Sequence, residues 1–188
     1  MKKEIIVALP AKGRIKIPSL NIFKKNKLKI FSEKGERDLI GYVESKNFNL
    51  KILFVHAREA IDALANSTAD VAISGKDLLF NSNTNIQQKI KLYKNLDFGH
   101  ASLKIFRSIY WIDCRSLLDV SEIAKNKPIK LITKYRHLVE NFLAEKNVRN
   151  VEVIDSNGAT EIAVRINQAS LVGDISSSGS TAAANDLI

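Results

Sequence analysis

The chain has 188 residues, of which 45% are hydrophobic, with a formal net charge of +9 and a single cysteine, Cys114. This composition excludes a disordered chain and an internal disulfide framework, and it allows one large domain or two small ones. No apolar run approaches the roughly 20 residues of a membrane-spanning helix, and the apolar run near the start is too short for a signal peptide, which favours a cytoplasmic protein.

Short apolar segments alternate with helical patterns along the chain. Short β-branched runs bounded by polar residues or glycine predict strands at residues 4–9, 38–45, 51–56, 70–74, 90–96, 103–111, 129–133, 151–155 and 170–175. Apolar residues at helical spacing predict helices at residues 17–25, 57–66, 117–125, 137–146 and 159–168. The polar stretch at residues 81–88 predicts a surface loop. This alternation predicts an α/β fold with two lobes and mainly parallel sheets, the first lobe ending near residue 97.

Residues 171–185 read LVGDISSSGSTAAAN, which predicts a strand, a turn rich in serine and glycine, and a helix start. Ligands of α/β proteins bind at the carboxyl ends of strands, where turn N–H groups and helix starts favour anions. Gly179 would let the backbone approach a ligand closely. Hydroxyl donors are supplied by Ser176, Ser177, Ser178, Ser180 and Thr181. The pattern suits a phosphate monoester, and the alternative is an ordinary serine-rich helix cap.

Asp174 precedes this turn and would repel a phosphate. Its carboxylate would suit neutral hydroxyls, such as a ribose diol, or a metal ion. His56, His100 and His137 show no metal-ligand spacing, so we predict no metal site formed by the protein alone.

Two further turns follow predicted strands and combine glycine with charged side chains. They contain Lys12, Gly13 and Arg14 after the first strand, and Gly75, Lys76 and Asp77 after the fourth. Either turn could present cations to an anion or be merely solvated. Arg37 and Arg58 are candidates for phosphate contacts because guanidinium forks match phosphate oxygens, although each could equally be a surface residue.

Eight collinear segments together resemble one known family. They are ALPAKGR (8–14), ERDL (36–39), HAREAIDAL (56–64), ADVAISGKDLL (69–79), LDFGHASL (96–103), ITKY (132–135), NGATEIA (157–163) and GDISSSGSTAAAN (173–185). In this order, the set resembles the short-form ATP phosphoribosyltransferases of histidine biosynthesis over nearly the whole chain.

The resemblance implies a pentosyltransferase, a class of glycosyltransferase, that joins ATP and phosphoribosyl diphosphate to form 1-(5-phosphoribosyl)-ATP and pyrophosphate, with Mg²⁺ bridging phosphates. Asp174 would hold the ribose hydroxyls and residues 176–181 the 5-phosphate. Arg37 and Arg58 would be catalytic, and the two glycine turns would meet ATP and pyrophosphate. The implied fold is that of a type II periplasmic binding protein, with two lobes closing on a cleft.

By the same resemblance, residues 1–97 form the lobe on the ATP and pyrophosphate side, and residues 98–183 form the lobe with the phosphoribosyl-diphosphate loop. Residues 184–188 would begin a return to the first lobe, and the chain would end early. Partners would be further copies of the chain and a regulatory subunit similar to histidyl-tRNA synthetase.

Two alternatives are open. One is a non-catalytic module of the same two-lobe fold that captures a small anion. The other is a nucleic-acid binder, motivated only by the charge of +9 and supported by no interleaving of aromatic and basic residues. We therefore expect neither nucleic-acid nor membrane partners.

Overall fold

The computed structural model describes residues 4–35, 38–156 and 158–188, and the chain divides into two compact units, one ending at Gly99 and one beginning at His100. The first unit contains β1 (Glu4–Pro10), α1 (Lys16–Lys25), β2 (Ile40–Glu44), β3 (Asn49–Val55), α2 (Ala57–Ala65), β4 (Val71–Ala72), α3 (Lys76–Phe80) and α4 (Thr84–Lys89). The second contains β5 (Ser102–Arg107), α5 (Leu117–Asn126), β6 (Ile129–Thr133), α6 (Arg136–Glu145), β7 (Val151–Asp155), α7 (Glu161–Arg165), β8 (Leu171–Ser176) and α8 (Ser180–Ala183).

The sheet of the first unit has the strand order β2-β3-β1-β4. Strand β1 pairs in parallel with β3 and β4, whereas β2 pairs antiparallel with β3. Side chains alternate between the two faces of a strand, and both faces of β1 are buried. Val7 and Leu9 pack with Phe23 of α1, and Ala8 packs with Ala60 of α2. Helices therefore cover both faces of this sheet.

The sheet of the second unit has the strand order β5-β8-β6-β7. Strand β6 pairs in parallel with β7 and β8, and β5 pairs antiparallel with β8. Leu171 packs with Val139 of α6 on one face, and Val172 packs with Ala163 of α7 on the other. Each sheet thus has two parallel pairings and one antiparallel pairing among the described strands, which confirms the predicted α/β class with mainly parallel sheets.

Several predicted elements differ from the structure. Strand β4 is limited to Val71–Ala72, and residues 90–96 form no strand, although all of them are described. The polar stretch predicted as a loop contains helix α4, because the Asn83 side chain accepts a hydrogen bond from the Ile86 N–H at 2.9 Å. An asparagine that caps a helix has the same composition signal as an asparagine in a turn.

The resemblance predicts that residues 184–188 begin a return to the first lobe, and in the structure these residues belong to the second unit. Leu187 is buried in the same cluster as Phe106 of β5. The backbones of Arg107 and Ile188 exchange two hydrogen bonds of 2.8 and 2.9 Å. Burial of Leu187 and pairing with the end of β5 hold this segment against the second sheet.

The helices of both units are short. The longest, α1, α5 and α6, have 10 residues each. Within the described ranges, no helix has the length and apolar character needed to cross a lipid bilayer.

Gly173 lies buried in β8 beneath α6, where there is no room for a side chain. A Cβ at this position would lie 2.7 Å from Val139 Cγ2 and 3.3 Å from Thr133 Oγ1. Val139 is fully buried and β-branched, so it cannot turn aside easily. We expect Gly173→Ala to lower the free energy of unfolding by about 1–3 kcal/mol, measured by urea denaturation.

The matched control for this substitution is Gly158→Ala, because Gly158 is exposed and a Cβ there would meet no atom within 4 Å. We expect its stability to stay within about 0.5 kcal/mol of the wild type. Equal loss of stability in both variants would show that close packing around Gly173 does not cause the effect of Gly173→Ala.

Candidate functional site

The turn after β8 is closed by its first serine. Ser176 ends the strand, and its Oγ accepts a hydrogen bond from the Gly179 N–H at 2.8 Å. Gly179 has φ +80°, a left-handed conformation that glycine adopts without the steric cost of a Cβ. We call residues 176–181 the β8 loop. The glycine thus has a conformational role in shaping this loop.

The β8 loop presents several hydroxyl groups to solvent. The exposed side chains are those of Ser177, Ser178, Ser180 and Thr181. The hydroxyls of Ser178 and Ser180 lie 3.0 Å apart, and Ser178 Oγ accepts a hydrogen bond from the Ser180 N–H at 3.3 Å. Because α8 has only four residues, its dipole contributes little to anion binding. Hydroxyls, backbone N–H groups and nearby cations must therefore provide any affinity for phosphate.

Asp174 lies in β8, two residues before the loop, and is half-buried. Its Oδ1 accepts a hydrogen bond from the backbone N–H of Ile175 at 2.8 Å. In the antiparallel pair of β5 and β8, Lys104 is the residue directly opposite Asp174. Directly opposite residues project from the same face of a sheet, so a cation and a carboxylate share the face next to the loop.

The carboxyl ends of β6, β7 and β8 meet at one edge because these strands are parallel. Lys134 follows β6, and Ser156 follows β7 with its N–H bonded to the Thr133 carbonyl at 2.9 Å. Lys134 is not among the residues predicted for the site, although it directly follows a correctly predicted strand. Lys104 is not among them either, since no local pattern reveals which residue of β5 lies opposite Asp174.

The carboxyl ends of β1, β3 and β4 likewise meet at one edge of the first sheet. We call this the first-unit edge, and the predicted residues that follow these three strands are Lys12, Gly13, Arg14, Arg58, Gly75, Lys76 and Asp77. Parallel pairing therefore brings together three turns that are far apart in the sequence. Most of these residues are exposed, and Gly75 and Asp77 are half-buried.

Hydrogen bonds tie the three turns of the first-unit edge to one another. The Ala11 N–H bonds to the Val55 carbonyl at 2.8 Å, which joins the turn after β1 to the end of β3. The Ser74 hydroxyl bonds to the Ala57 carbonyl at 2.9 Å, which joins the turn after β4 to the start of α2. The edge is thus a connected unit that holds its cations on anchored turns.

Individual side chains of the first-unit edge are held in different ways. Gly13 has φ +87°, which allows the reversal between Lys12 and Arg14. The Lys76 ammonium lies 5.7 Å from the ring centroid of Phe80, so it is drawn toward α3. The Asp77 carboxylate fills the space in which a Cβ on Gly75 would stand. Arg37, the other candidate catalytic arginine, lies outside the described residues.

His56 has a capping role at the start of α2, and Cys114 is buried. Among the described residues, no group of three or more His, Cys, Asp or Glu side chains could hold a metal ion. His56 caps α2 instead, where its Nδ1 accepts a hydrogen bond from the Arg58 N–H at 3.5 Å. Burial raises the pKa of the Cys114 thiol, which is therefore protonated and unreactive at neutral pH.

Comparison with known proteins matches the chain to one enzyme family. The family model described as HisG, ATP phosphoribosyltransferase, matches residues 56–188. An ATP phosphoribosyltransferase of Rhodopseudomonas palustris (strain BisB18) is 31% identical over 193 residues, which are 100% of this chain and 59% of that protein. One from Agrobacterium fabrum is 29% identical over 190 residues, which are 97% of this chain and 82% of that protein. The chain thus spans 59% of the length of the first of these relatives.

Solved structures show the same fold at low sequence identity. The ATP phosphoribosyl transferase (HisG:HisZ) complex from Thermotoga maritima contains a chain with a TM-score of 0.67 and 18% identity, over 98% of this chain and 80% of that one. An ancestral arginine-binding protein bound to glutamine has a TM-score of 0.54 and 14% identity, over 100% of this chain and 78% of that one. These likenesses concern the fold alone, and they confirm the predicted fold, which is similar to that of periplasmic binding proteins.

Proposed function

Because the chain belongs to the ATP phosphoribosyltransferase family, we propose that it transfers the phosphoribosyl group of phosphoribosyl diphosphate to N1 of the adenine of ATP and releases pyrophosphate. This reaction is the first step of histidine biosynthesis. The observation that carries the proposal is the end of β8, where Asp174 precedes a serine-rich turn closed by Ser176 and shaped by Gly179.

In this proposal the second unit binds the phosphoribosyl group. The hydroxyls and N–H groups of Ser176, Ser177, Ser178, Gly179, Ser180 and Thr181 donate hydrogen bonds to the 5-phosphate. The carboxylate of Asp174 accepts hydrogen bonds from the two ribose hydroxyls. A carboxylate is an acceptor only, so it favours a diol and disfavours phosphate at its own position. The two neighbouring groups thereby orient the substrate along β8.

The first-unit edge supplies positive charge for the phosphates of ATP and for the departing pyrophosphate. Lys12, Arg14 and Lys76 carry charge on anchored turns, and Gly13, Gly75 and Asp77 shape those turns. Arg58 and Arg37 are proposed to stabilise the negative charge that develops on pyrophosphate as its bond to C1 of the ribose breaks. Such stabilisation of developing charge is a large term in enzyme catalysis.

No protein nucleophile is required, because pyrophosphate is a good leaving group and the adenine N1 attacks directly. Positioning of the two substrates and stabilisation of charge then provide most of the rate. Mg²⁺ would be bound by the substrate phosphates and would neutralise charge on pyrophosphate. Single carboxylates, such as Asp174 and Asp77, suit such a substrate-bound ion better than a preformed cage of acidic residues would.

We further propose that the chain acts in the cytoplasm as a homo-oligomer with a regulatory subunit similar to histidyl-tRNA synthetase. Support for this comes from the resemblance to the short-form enzymes and from the similar chain in the HisG:HisZ complex of Thermotoga maritima. The chain alone would then contribute the catalytic residues, and control by histidine would reside in the partner.

The test is formation of phosphoribosyl-ATP from ATP, phosphoribosyl diphosphate and Mg²⁺, followed by ultraviolet absorbance. The assay is run with and without the candidate regulatory subunit. We expect product in at least one mixture, and added pyrophosphate should reverse the absorbance change. No product in either mixture, from protein shown to be folded by circular dichroism, would contradict the proposal and favour a binding module that captures small anions.

A further inference from the structure

The β8 loop has no charged side chain of its own. All residues of 176–181 are serine, glycine or threonine. A phosphate monoester carries a charge of about −1.5 to −2 at pH 7. Neutral hydroxyls and N–H groups can hydrogen-bond such an anion, but a nearby cation would strengthen binding by direct electrostatic attraction.

Lys104 of β5 brings a cation to the β8 loop. It lies directly opposite Asp174 in the strand pair, on the same face of the sheet. Its Nζ lies 4.0 Å from the point at which a Cβ on Gly179 would stand. The lysine side chain therefore extends from the middle of β5 to the turn, and its ammonium lies beside the glycine.

The positive charge of Lys104 is available for a ligand. In the described part of the chain, the ion pairs join other side chains, and none of them involves Lys104. Lys104 is half-buried, so its charge is less screened by water than that of a fully exposed lysine.

We propose that Lys104 is a binding residue for the 5-phosphate of the phosphoribosyl substrate, an assignment that rests on the proposed function of the β8 loop. Its ammonium donates hydrogen bonds to phosphate oxygens at Gly179, while Asp174 accepts hydrogen bonds from the ribose hydroxyls. The opposed pair of cation and anion on one face fixes the polarity of the substrate, with the phosphate toward the turn and the diol toward the strand.

Calorimetric titration with ribose 5-phosphate tests this role without catalysis. We expect Lys104→Met to weaken binding about 10-fold to 100-fold, since a hydrogen bond to a charged group is lost. Lys104→Arg keeps the positive charge and should stay within a few-fold of the wild type. The matched control is Lys130→Met, which removes the same charge from an exposed position in β6 of the same sheet and should change binding less than about 2-fold.

A second titration separates the 5-phosphate from the pyrophosphate group. Lys104→Met should weaken the binding of ribose 5-phosphate more than the binding of inorganic pyrophosphate. A thermal unfolding transition like that of the wild type should show that the variant is folded. Equal affinity of Lys104→Met and Lys130→Met for ribose 5-phosphate would overturn the role of Lys104 and leave the assignment of the β8 loop unaffected. Failure of the wild type to bind ribose 5-phosphate would overturn the assignment of the β8 loop as well.

Discussion

Asp174→Asn is expected to lower kcat/KM for phosphoribosyl diphosphate about 100-fold to 1000-fold. The substitution removes a negative charge and replaces one acceptor oxygen with an NH₂ donor, so the two ribose hydroxyls lose charge-assisted hydrogen bonds. In the proposed complex the carboxylate also faces the ribose ring, which becomes positively charged as pyrophosphate departs, and loss of such stabilisation typically costs this much.

The fold should survive this substitution, because asparagine can still accept the Ile175 N–H through its Oδ1, as Asp174 does at 2.8 Å. Initial rates at varied phosphoribosyl diphosphate and saturating ATP measure the effect. The matched control is Asp113→Asn, an exposed aspartate between β5 and α5 with the same change of charge. If Asp174→Asn and Asp113→Asn have equal kcat/KM values, Asp174 does not bind the substrate as proposed.

Arg58→Met should lower kcat about 100-fold, with a smaller effect on the KM for phosphoribosyl diphosphate. The guanidinium is proposed to act on charge that is greatest in the transition state, so its loss affects the rate more than ground-state binding. Helix α2 should remain intact, because the hydrogen bond to His56 Nδ1 comes from the backbone of Arg58. Arg58→Lys should recover only part of the rate, since an ammonium lacks the planar fork.

Steady-state kinetics with both substrates varied distinguish these outcomes. The control is Arg149→Met, an exposed arginine that precedes β7 and therefore lies at the amino end of that strand, away from the carboxyl edge. We expect its kcat to match the wild type. Turnover of Arg58→Met at the wild-type rate would exclude the proposed role of Arg58 in pyrophosphate departure.

Local patterns in the sequence were sufficient to predict the α/β class and most element positions. Strands β6 and β7 have the predicted bounds, 129–133 and 151–155, because both are short β-branched runs with a clear beginning and end. The residues of the β8 loop could also be predicted as a candidate site, since Asp174, the serines and Gly179 lie within eight residues of one another. A candidate site whose residues are neighbours in the chain can be predicted without knowledge of the fold.

The proximity of distant turns depended on strand pairing. Lys12 and Arg58 are separated by many residues, and they share an edge only because β1 and β3 pair in parallel over seven residues. The position of residues 184–188 likewise depends on contacts with a distant part of the chain. Leu187 lies in the same buried cluster as Phe106, a contact that no periodicity near residues 184–188 indicates.

The fold class, the positions of most strands and helices, and the residue types of the β8 loop can all be derived from the amino-acid sequence. Two features are visible only in three dimensions. Lys104 lies opposite Asp174 with its ammonium beside Gly179, and Gly173 has no space for a Cβ beneath Val139. Secondary structure and turns follow from interactions within a few residues, which leave a periodic pattern. Strand register is decided by which pairing buries the whole apolar face of a sheet, and that is a property of all its strands together.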